Sequence, residues 1–139
     1  MNAGVWNPRI LVVEDDPLIG ELLMLRLESG GYRATWVKDG GAALDRMQDV
    51  KPHLVVLDLG LPGVDGFQVL QTLRRHATWR ETPVVVLTAR HNADDVKRAL
   101  GLGASDYVAK PFDAHALLKR IERALKAAGT KPVNASTWV

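Results

Sequence analysis

Short apolar runs rich in valine recur along the chain at residues 9–14, 53–58 and 83–88. Such runs are typical of strands that are buried on both faces of a sheet. Weaker patterns at residues 32–37 and 106–110 predict two further strands. The sequence therefore predicts five strands.

Helical patterns separate these strands. Asp16 is a suitable N-cap for the first helix, Pro17 suits its first helical position, and Leu22, Leu23 and Leu27 are expected on its inner face with Ile19. Asn92 and Asp113 are expected to cap the last two helices. The predicted helices span residues 17–29, 39–49, 66–77, 92–102 and 113–128.

Strict alternation of strands and helices predicts an α/β fold, a doubly wound parallel sheet with helices on both faces. Five strands are too few for an eight-stranded barrel. In open sheets of this kind, ligands bind outside the carboxyl ends of the strands. The residues that end each strand are therefore the candidate site.

Composition narrows the class of protein. The 139 residues are 47% hydrophobic, contain no cysteine and carry a formal net charge of +2. The lack of cysteine excludes disulfides, thiolate metal sites and cysteine nucleophiles. The sequence shows neither a long apolar run nor a signal-peptide pattern, so we expect a cytoplasmic protein without membrane contact. A charge of +2 is weak evidence for nucleic acid binding, and we expect no direct contact with nucleic acid.

The predicted strand ends carry acids, a hydroxyl and a lysine. Glu14 and Asp15 follow the first strand, Asp58 ends the third, Thr88 ends the fourth, and Lys110 ends the fifth. Carboxylates packed together repel one another and need a cation, and oxygen ligands without histidine or cysteine suit Mg²⁺. Carboxylate, Mg²⁺, lysine and hydroxyl together indicate phosphoryl transfer, in which a carboxylate can be the nucleophile.

The sequence resembles the receiver domain of bacterial two-component response regulators. The resemblance covers residues 9–128, leaving residues 1–8 as a tail and residues 129–139 as a tail or the start of a linker. It implies a flavodoxin-like fold with strand order 2-1-3-4-5. The motifs that carry it are Val12-Val13-Glu14-Asp15-Asp16, Asp58-Leu59-Gly60-Leu61-Pro62-Gly63-Val64-Asp65-Gly66, Thr88-Ala89, Gly103-Ala104-Ser105-Asp106-Tyr107 and Lys110-Pro111-Phe112.

This resemblance implies that Asp58 accepts a phosphoryl group from a phosphohistidine on a sensor histidine kinase or a histidine phosphotransfer protein. Asp15, Asp58 and the backbone carbonyl of Gly60 would bind Mg²⁺, with Mn²⁺ as an alternative. Glu14 would hold a metal-bound water. The chain would then be a signalling switch that promotes only its own phosphorylation and dephosphorylation, rather than an enzyme with a separate substrate.

The resemblance also implies roles for the residues around the phosphoacceptor. Lys110 would pair first with Asp58 and then with the phosphoryl group, aimed by a cis peptide bond before Pro111. Thr88 would hydrogen-bond the phosphoryl group and leave space for Tyr107 to rotate inward. This rotation would change the surface formed by the fourth helix, fifth strand and fifth helix, which would bind a downstream protein or effector domain.

Two positions tune phosphoryl lifetime in this family, and here they are Gly60 and Arg90. We hypothesise that Arg90 slows hydrolysis.

Ala116 stands where the OmpR-like branch usually carries an acid on its dimer face, so a monomer or a weak phosphorylation-dependent dimer is expected. Trp36 and Trp79 are interpreted as packing residues.

Three other functions compete with this interpretation. A hydrolase of the haloacid dehalogenase class usually needs a second acid at the position of Gly60. A nucleotide-binding domain needs a glycine-rich turn where Glu14, Asp15 and Asp16 would repel phosphate. An inactive scaffold is disfavoured because the pocket residues are all present. About ten residues follow the last helix, so we expect either a single-domain regulator or the receiver part of a longer protein.

Overall fold

The computed structural model describes residues 7–89 and 93–130. Within these ranges five strands alternate with five helices, as the sequence predicted. Their bounds are β1 Arg9–Val13, α1 Pro17–Ser29, β2 Arg33–Val37, α2 Gly40–Val50, β3 Leu54–Asp58, α3 Gly66–Arg75, β4 Val84–Thr88, α4 Ala93–Gly101, β5 Asp106–Ala109 and α5 Ala114–Ala127.

The strands form one parallel sheet in the order β2-β1-β3-β4-β5, which confirms the predicted flavodoxin-like topology. All residues of β3 and β4 are buried, as are those of β1 after Arg9, because helices cover both faces of these central strands. The edge strands β2 and β5 are more exposed, and their residues gave the weaker patterns in the sequence.

Two apolar layers hold the helices on the sheet. On one face, Leu23 and Leu27 of α1 pack with Ile121 and Leu125 of α5. On the other face, side chains from α2, α3 and α4 form the second layer. No helix in the described part of the chain has the length and apolar character needed to cross a membrane.

Local signals explain the helix ends. The Asp16 side chain accepts hydrogen bonds from the N–H groups of Leu18 and Ile19, so the predicted cap of α1 is confirmed. Asn92, the predicted cap of α4, lies outside the described residues.

The assignment of Leu22 to the inner face of α1 was wrong, since it is 39% exposed. Residues 20, 23 and 27 face the core instead, and position 22 is turned about 100° from position 23.

Candidate functional site

Three polar side chains lie buried at the carboxyl ends of the central strands. Glu14 follows β1, Asp58 ends β3 and Thr88 ends β4. The parallel register, which pairs Val13 with Leu57, brings these strand ends to one edge of the sheet. Carboxylates are rarely fully buried unless they are paired with a cation. The arrangement therefore requires positive charge close by.

Lys110 supplies that positive charge. Its Nζ lies 2.8 Å from Oε1 of Glu14 and 3.1 Å from Oδ2 of Asp58. The contact with Asp58 has hydrogen-bond geometry, whereas the contact with Glu14 is an ion pair whose angles fall outside that geometry. The peptide bond between Lys110 and Pro111 is cis. Sequence reasoning expected the partnership with Asp58 and missed the closer approach to Glu14.

The electrostatics of Glu14 and Lys110 reflect their burial. Burial raises the pKa of the Glu14 carboxyl to about 7, although the ion pair with Lys110 and the hydrogen bond from the Asp16 N–H oppose this rise. For Lys110, burial opposes the charge, but the two carboxylates outweigh it and raise the pKa above its usual value. Lys110 is therefore charged near neutral pH, while Glu14 holds a proton more tightly than an exposed glutamate.

The Asp58 carboxylate is fixed by the loop that follows it. Its Oδ1 accepts a hydrogen bond of 2.9 Å from the N–H of Gly60. A Cβ atom at Gly66 would lie 2.4 Å from the Asp58 carbonyl oxygen and 2.5 Å from Cα of Leu59, so only glycine fits there without a shift. The first turn of α3 thus packs directly against the backbone of the candidate phosphoacceptor.

The acidic side chains form a cluster that fits a divalent cation. One carboxylate oxygen from each of Glu14, Asp15 and Asp58 lies within 4.8 Å of the others. Oε1 of Glu14 is buried and has no hydrogen-bond partner among the described residues. Asp15 is exposed, so the cluster is open to solvent on one side. Oxygen-only donors with an open side suit Mg²⁺, which usually keeps several of its waters.

Thr88 and Tyr107 occupy different environments on neighbouring strands. Thr88 is 1% exposed at the end of β4, whereas the Tyr107 side chain on β5 is 37% exposed. Tyr107 lies opposite Val86, two residues before Thr88. The strand is linked to α5 by Asp106, whose Oδ1 lies 2.7 Å from Nη1 of Arg120.

Two other predicted positions have different outcomes. Arg90 lies outside the described residues. Trp36, interpreted from the sequence as a packing residue, also donates a hydrogen bond of 2.8 Å from Nε1 to the carbonyl oxygen of Glu14. The sequence offered only one signal for this contact, a polar ring nitrogen at the end of a predicted strand that neighbours the acidic loop.

Comparisons with known proteins agree with this geometry. A sequence model of the response regulator receiver domain matches residues 10–122. The uncharacterized transcriptional regulatory protein YkoG of Bacillus subtilis is 43% identical over 130 residues, which cover 94% of this chain and 56% of YkoG. The chain spans about half the length of the curated relatives it matches.

Solved structures show the same fold. A crystal structure of a putative response regulator from Chloroflexus aurantiacus has a TM-score of 0.84 at 30% identity, covering 87% of this chain and 99% of that one. The receiver domain of the sensor histidine kinase PA1611 from Pseudomonas aeruginosa has a TM-score of 0.80 at 31% identity, covering 87% of this chain and 99% of that one. It has a magnesium ion coordinated in its active site cleft.

The fold and the site agree with the family match. The chain has a doubly wound five-stranded sheet with an acidic cluster and a lysine at its carboxyl edge, as expected for a receiver domain. This chain belongs to the response regulator receiver domain family of two-component systems. Its curated relatives are transcriptional regulators and response regulators, which places it among signalling proteins.

Proposed function

We propose that this chain is a phosphorylation-operated switch in which Asp58 accepts a phosphoryl group from a phosphohistidine on a sensor histidine kinase or a histidine phosphotransfer protein. The observation that carries the proposal is the surroundings of Asp58 at the end of a central strand. Its Oδ2 contacts Lys110 at 3.1 Å, and its carboxylate lies within the acidic cluster of Glu14 and Asp15.

The transfer makes one bond and breaks another. A carboxylate oxygen of Asp58 forms a bond to phosphorus as the bond between phosphorus and the histidine nitrogen breaks, and the leaving imidazole takes up a proton. The N–H of Gly60 holds the carboxylate in one orientation through Oδ1. Lys110 neutralises part of the added charge, which is about −1.5 to −2 for a phosphoryl group at pH 7. Catalysis here is positioning and charge neutralisation.

Asp15, Asp58 and the backbone carbonyl of Gly60 would hold Mg²⁺ directly, and Glu14 would hold it through a water molecule. Mn²⁺ would fit the same oxygen donors. When bound, the ion would supply positive charge beside the Asp58 carboxylate and would offset part of the negative charge of the phosphoryl group. The cluster of three carboxylates supports this assignment, as does the magnesium ion in the receiver domain of PA1611.

The switch would begin at Thr88 and end at Tyr107. Hydrogen bonding of the Thr88 hydroxyl to the new phosphoryl oxygens draws this side chain toward Asp58 and leaves space for Tyr107 to turn inward. Because Tyr107 is partly exposed on an edge strand, its movement changes the surface formed by α4, β5 and α5. That surface would bind a downstream protein or an effector domain, without contacting nucleic acid itself.

Residues near the pocket would set how long the phosphoryl group persists. Gly60 presents no side chain that could shield it or orient an attacking water. Arg90 is two residues after Thr88 and would slow hydrolysis by covering the phosphoryl group with positive charge. The comparison of wild type with Arg90→Ala tests this role: a shorter phosphorylated half-life supports it, and an unchanged half-life contradicts it.

Family membership supports a proposal for the cellular setting. We propose a cytoplasmic protein that receives its phosphoryl group from a sensor kinase and acts as a monomer or a weak phosphorylation-dependent dimer. Ala116 supports weak association, because it offers no charge at a position where the OmpR-like branch pairs an acid across the dimer. The transcriptional role of relatives such as YkoG would belong to a longer protein containing this receiver.

The proposal is tested with phosphoramidate, a small donor with the same nitrogen–phosphorus bond as phosphohistidine. Wild type is expected to gain one phosphoryl group by intact mass in the presence of Mg²⁺, and much less with a chelator. Asp58→Asn should gain none. Asp45→Asn, which alters an exposed aspartate of α2, is the matched control and should react like wild type. An unmodified wild type, or a modified Asp58→Asn variant, contradicts the proposal.

A further inference from the structure

Trp36 connects the end of β2 to the loop that carries Glu14 and Asp15. Its indole Nε1–H donates a hydrogen bond of 2.8 Å to the carbonyl oxygen of Glu14. The N–H of Glu14 donates to the carbonyl oxygen of Val37 at 3.1 Å. Two consecutive residues of β2 therefore hold both main-chain polar groups of Glu14.

The peptide unit held by the indole joins the two acidic residues. The carbonyl of Glu14 and the N–H of Asp15 belong to one planar group that also contains the Cα atoms of both residues, so holding the carbonyl restrains the two atoms that carry the acidic side chains. A parallel strand that continued along β1 would offer a backbone N–H to this carbonyl. The pairing of β1 with β2 ends at Val13 and Val37, and the chain turns into α2. The indole N–H of Trp36 donates the hydrogen bond that a backbone N–H of a longer β2 would donate to this carbonyl.

The surroundings of Trp36 keep its ring in place. A Cβ atom at Gly20 would lie 2.0 Å from Cζ2 and 2.1 Å from Cε2 of the indole, so the ring edge lies directly against α1. Glycine in a helix interior is destabilising relative to alanine, and here it makes room for the ring. Lys38 Nζ lies 5.3 Å from the ring centroid, within the range of a cation–π contact.

We propose that Trp36 is a positioning residue for the acidic cluster. By holding the peptide between Glu14 and Asp15, its N–H keeps both carboxylates turned toward Asp58 before a cation binds. A cluster that is already arranged loses less conformational freedom on binding, so groups that orient ligands contribute to affinity without touching the ion. The inference rests on the proposed Mg²⁺-dependent function of the same site.

The test replaces only the hydrogen-bond donor. Trp36→Phe removes the indole N–H and keeps an aromatic ring, and Mg²⁺ affinity is measured by calorimetry at a temperature where circular dichroism shows both proteins folded. We expect affinity to fall by about three- to tenfold, the effect of one lost orienting hydrogen bond. Trp79→Phe is the matched control. It alters a partly buried tryptophan at the opposite end of the sheet, and its Mg²⁺ affinity should equal that of wild type.

A spectroscopic measurement separates positioning from a general packing role. With 5-fluorotryptophan incorporated, the ¹⁹F resonance of Trp36, assigned by its loss in Trp36→Phe, should shift as Mg²⁺ is added. The resonance of Trp79 should not. If Trp36→Phe does not fold, a benzothienyl analogue at position 36 replaces the N–H by sulfur, retains the ring size and is expected to give the same loss of affinity.

The possible results separate the positioning role of Trp36 from the proposed Mg²⁺-dependent phosphorylation of Asp58. Unchanged Mg²⁺ affinity in a folded Trp36 variant, with wild type binding normally, overturns the positioning role and leaves the proposed function intact. A wild type that binds no Mg²⁺ contradicts the proposed function and the inference together. Equal losses in the Trp36 and Trp79 variants would show a general packing effect and overturn the positioning role.

Discussion

The buried Glu14 carboxylate is expected to reduce the stability of the metal-free protein. Its side chain is fully buried, and burial raises its pKa from 4.5 to about 7. One pKa unit corresponds to about 1.4 kcal/mol, so this rise corresponds to a free energy of unfolding lower by about 3 kcal/mol once the group is ionised. Glu14→Gln keeps the shape of the side chain and removes the titration.

The sign of the pH effect follows from the direction of the shift. The folded state binds the Glu14 proton more tightly than the unfolded state does. The contribution of protonated Glu14 to the free energy of unfolding is therefore fully present below pH 4.5. It is lost as the pH rises through about 7. Glu14→Gln should therefore be more stable than wild type at pH 8 and lack this part of the pH dependence.

Urea denaturation at pH 5 and pH 8, with chelator and constant ionic strength, measures the effect. Glu21→Gln, which alters an exposed glutamate on α1, is the control and should follow wild type. Equal changes in the free energy of unfolding for wild type and Glu14→Gln between the two pH values would refute the reasoning, since Glu14 would then titrate alike in both states.

Three further predictions concern the same pocket. Mg²⁺ at a hundred times its dissociation constant should raise the free energy of unfolding of wild type by about 2.7 kcal/mol, and no rise in urea melts would argue against a folded-state site. Lys110→Met should lower metal-free stability at pH 8 by about 3 kcal/mol, because it leaves two buried carboxylates without their cation. Exposed Lys119→Met is its control, and equal urea midpoints for the two variants would contradict the pairing. Gly66→Ala should cost about 1–3 kcal/mol through its contact with the Asp58 backbone. Gly101→Ala, with open space around the added methyl, should cost less in the same assay, and equal losses would contradict the contact.

Much of the fold could be predicted because its signals are local. The valine-rich runs mark β1, β3 and β4, and Asp16 with Pro17 marks the start of α1. Once the strands are known to be parallel, the carboxyl ends of β1, β3 and β4 must meet. Glu14, Asp58 and Thr88 could therefore be assigned to one edge from the sequence alone.

The remaining details depend on contacts between residues that are far apart in the chain. The approach of Lys110 to Glu14 depends on how far β1 and β5 each extend toward the carboxyl edge of the sheet. No local sequence pattern encodes this relative position. The same holds for the indole of Trp36, whose partner lies 22 residues away. Leu22 was misassigned because α1 carries leucines around most of its surface, so hydrophobicity alone did not define its inner face.

Chemical identification of the phosphorylated residue tests whether Asp58 is the phosphoacceptor. After reaction of the wild-type protein with a small phosphodonor and Mg²⁺, borohydride reduction converts an aspartyl phosphate to homoserine, which peptide mass spectrometry locates. We expect homoserine at position 58 and at no other aspartate. Homoserine at another position, or phosphate recovered on a histidine with residue 58 unchanged, would contradict it.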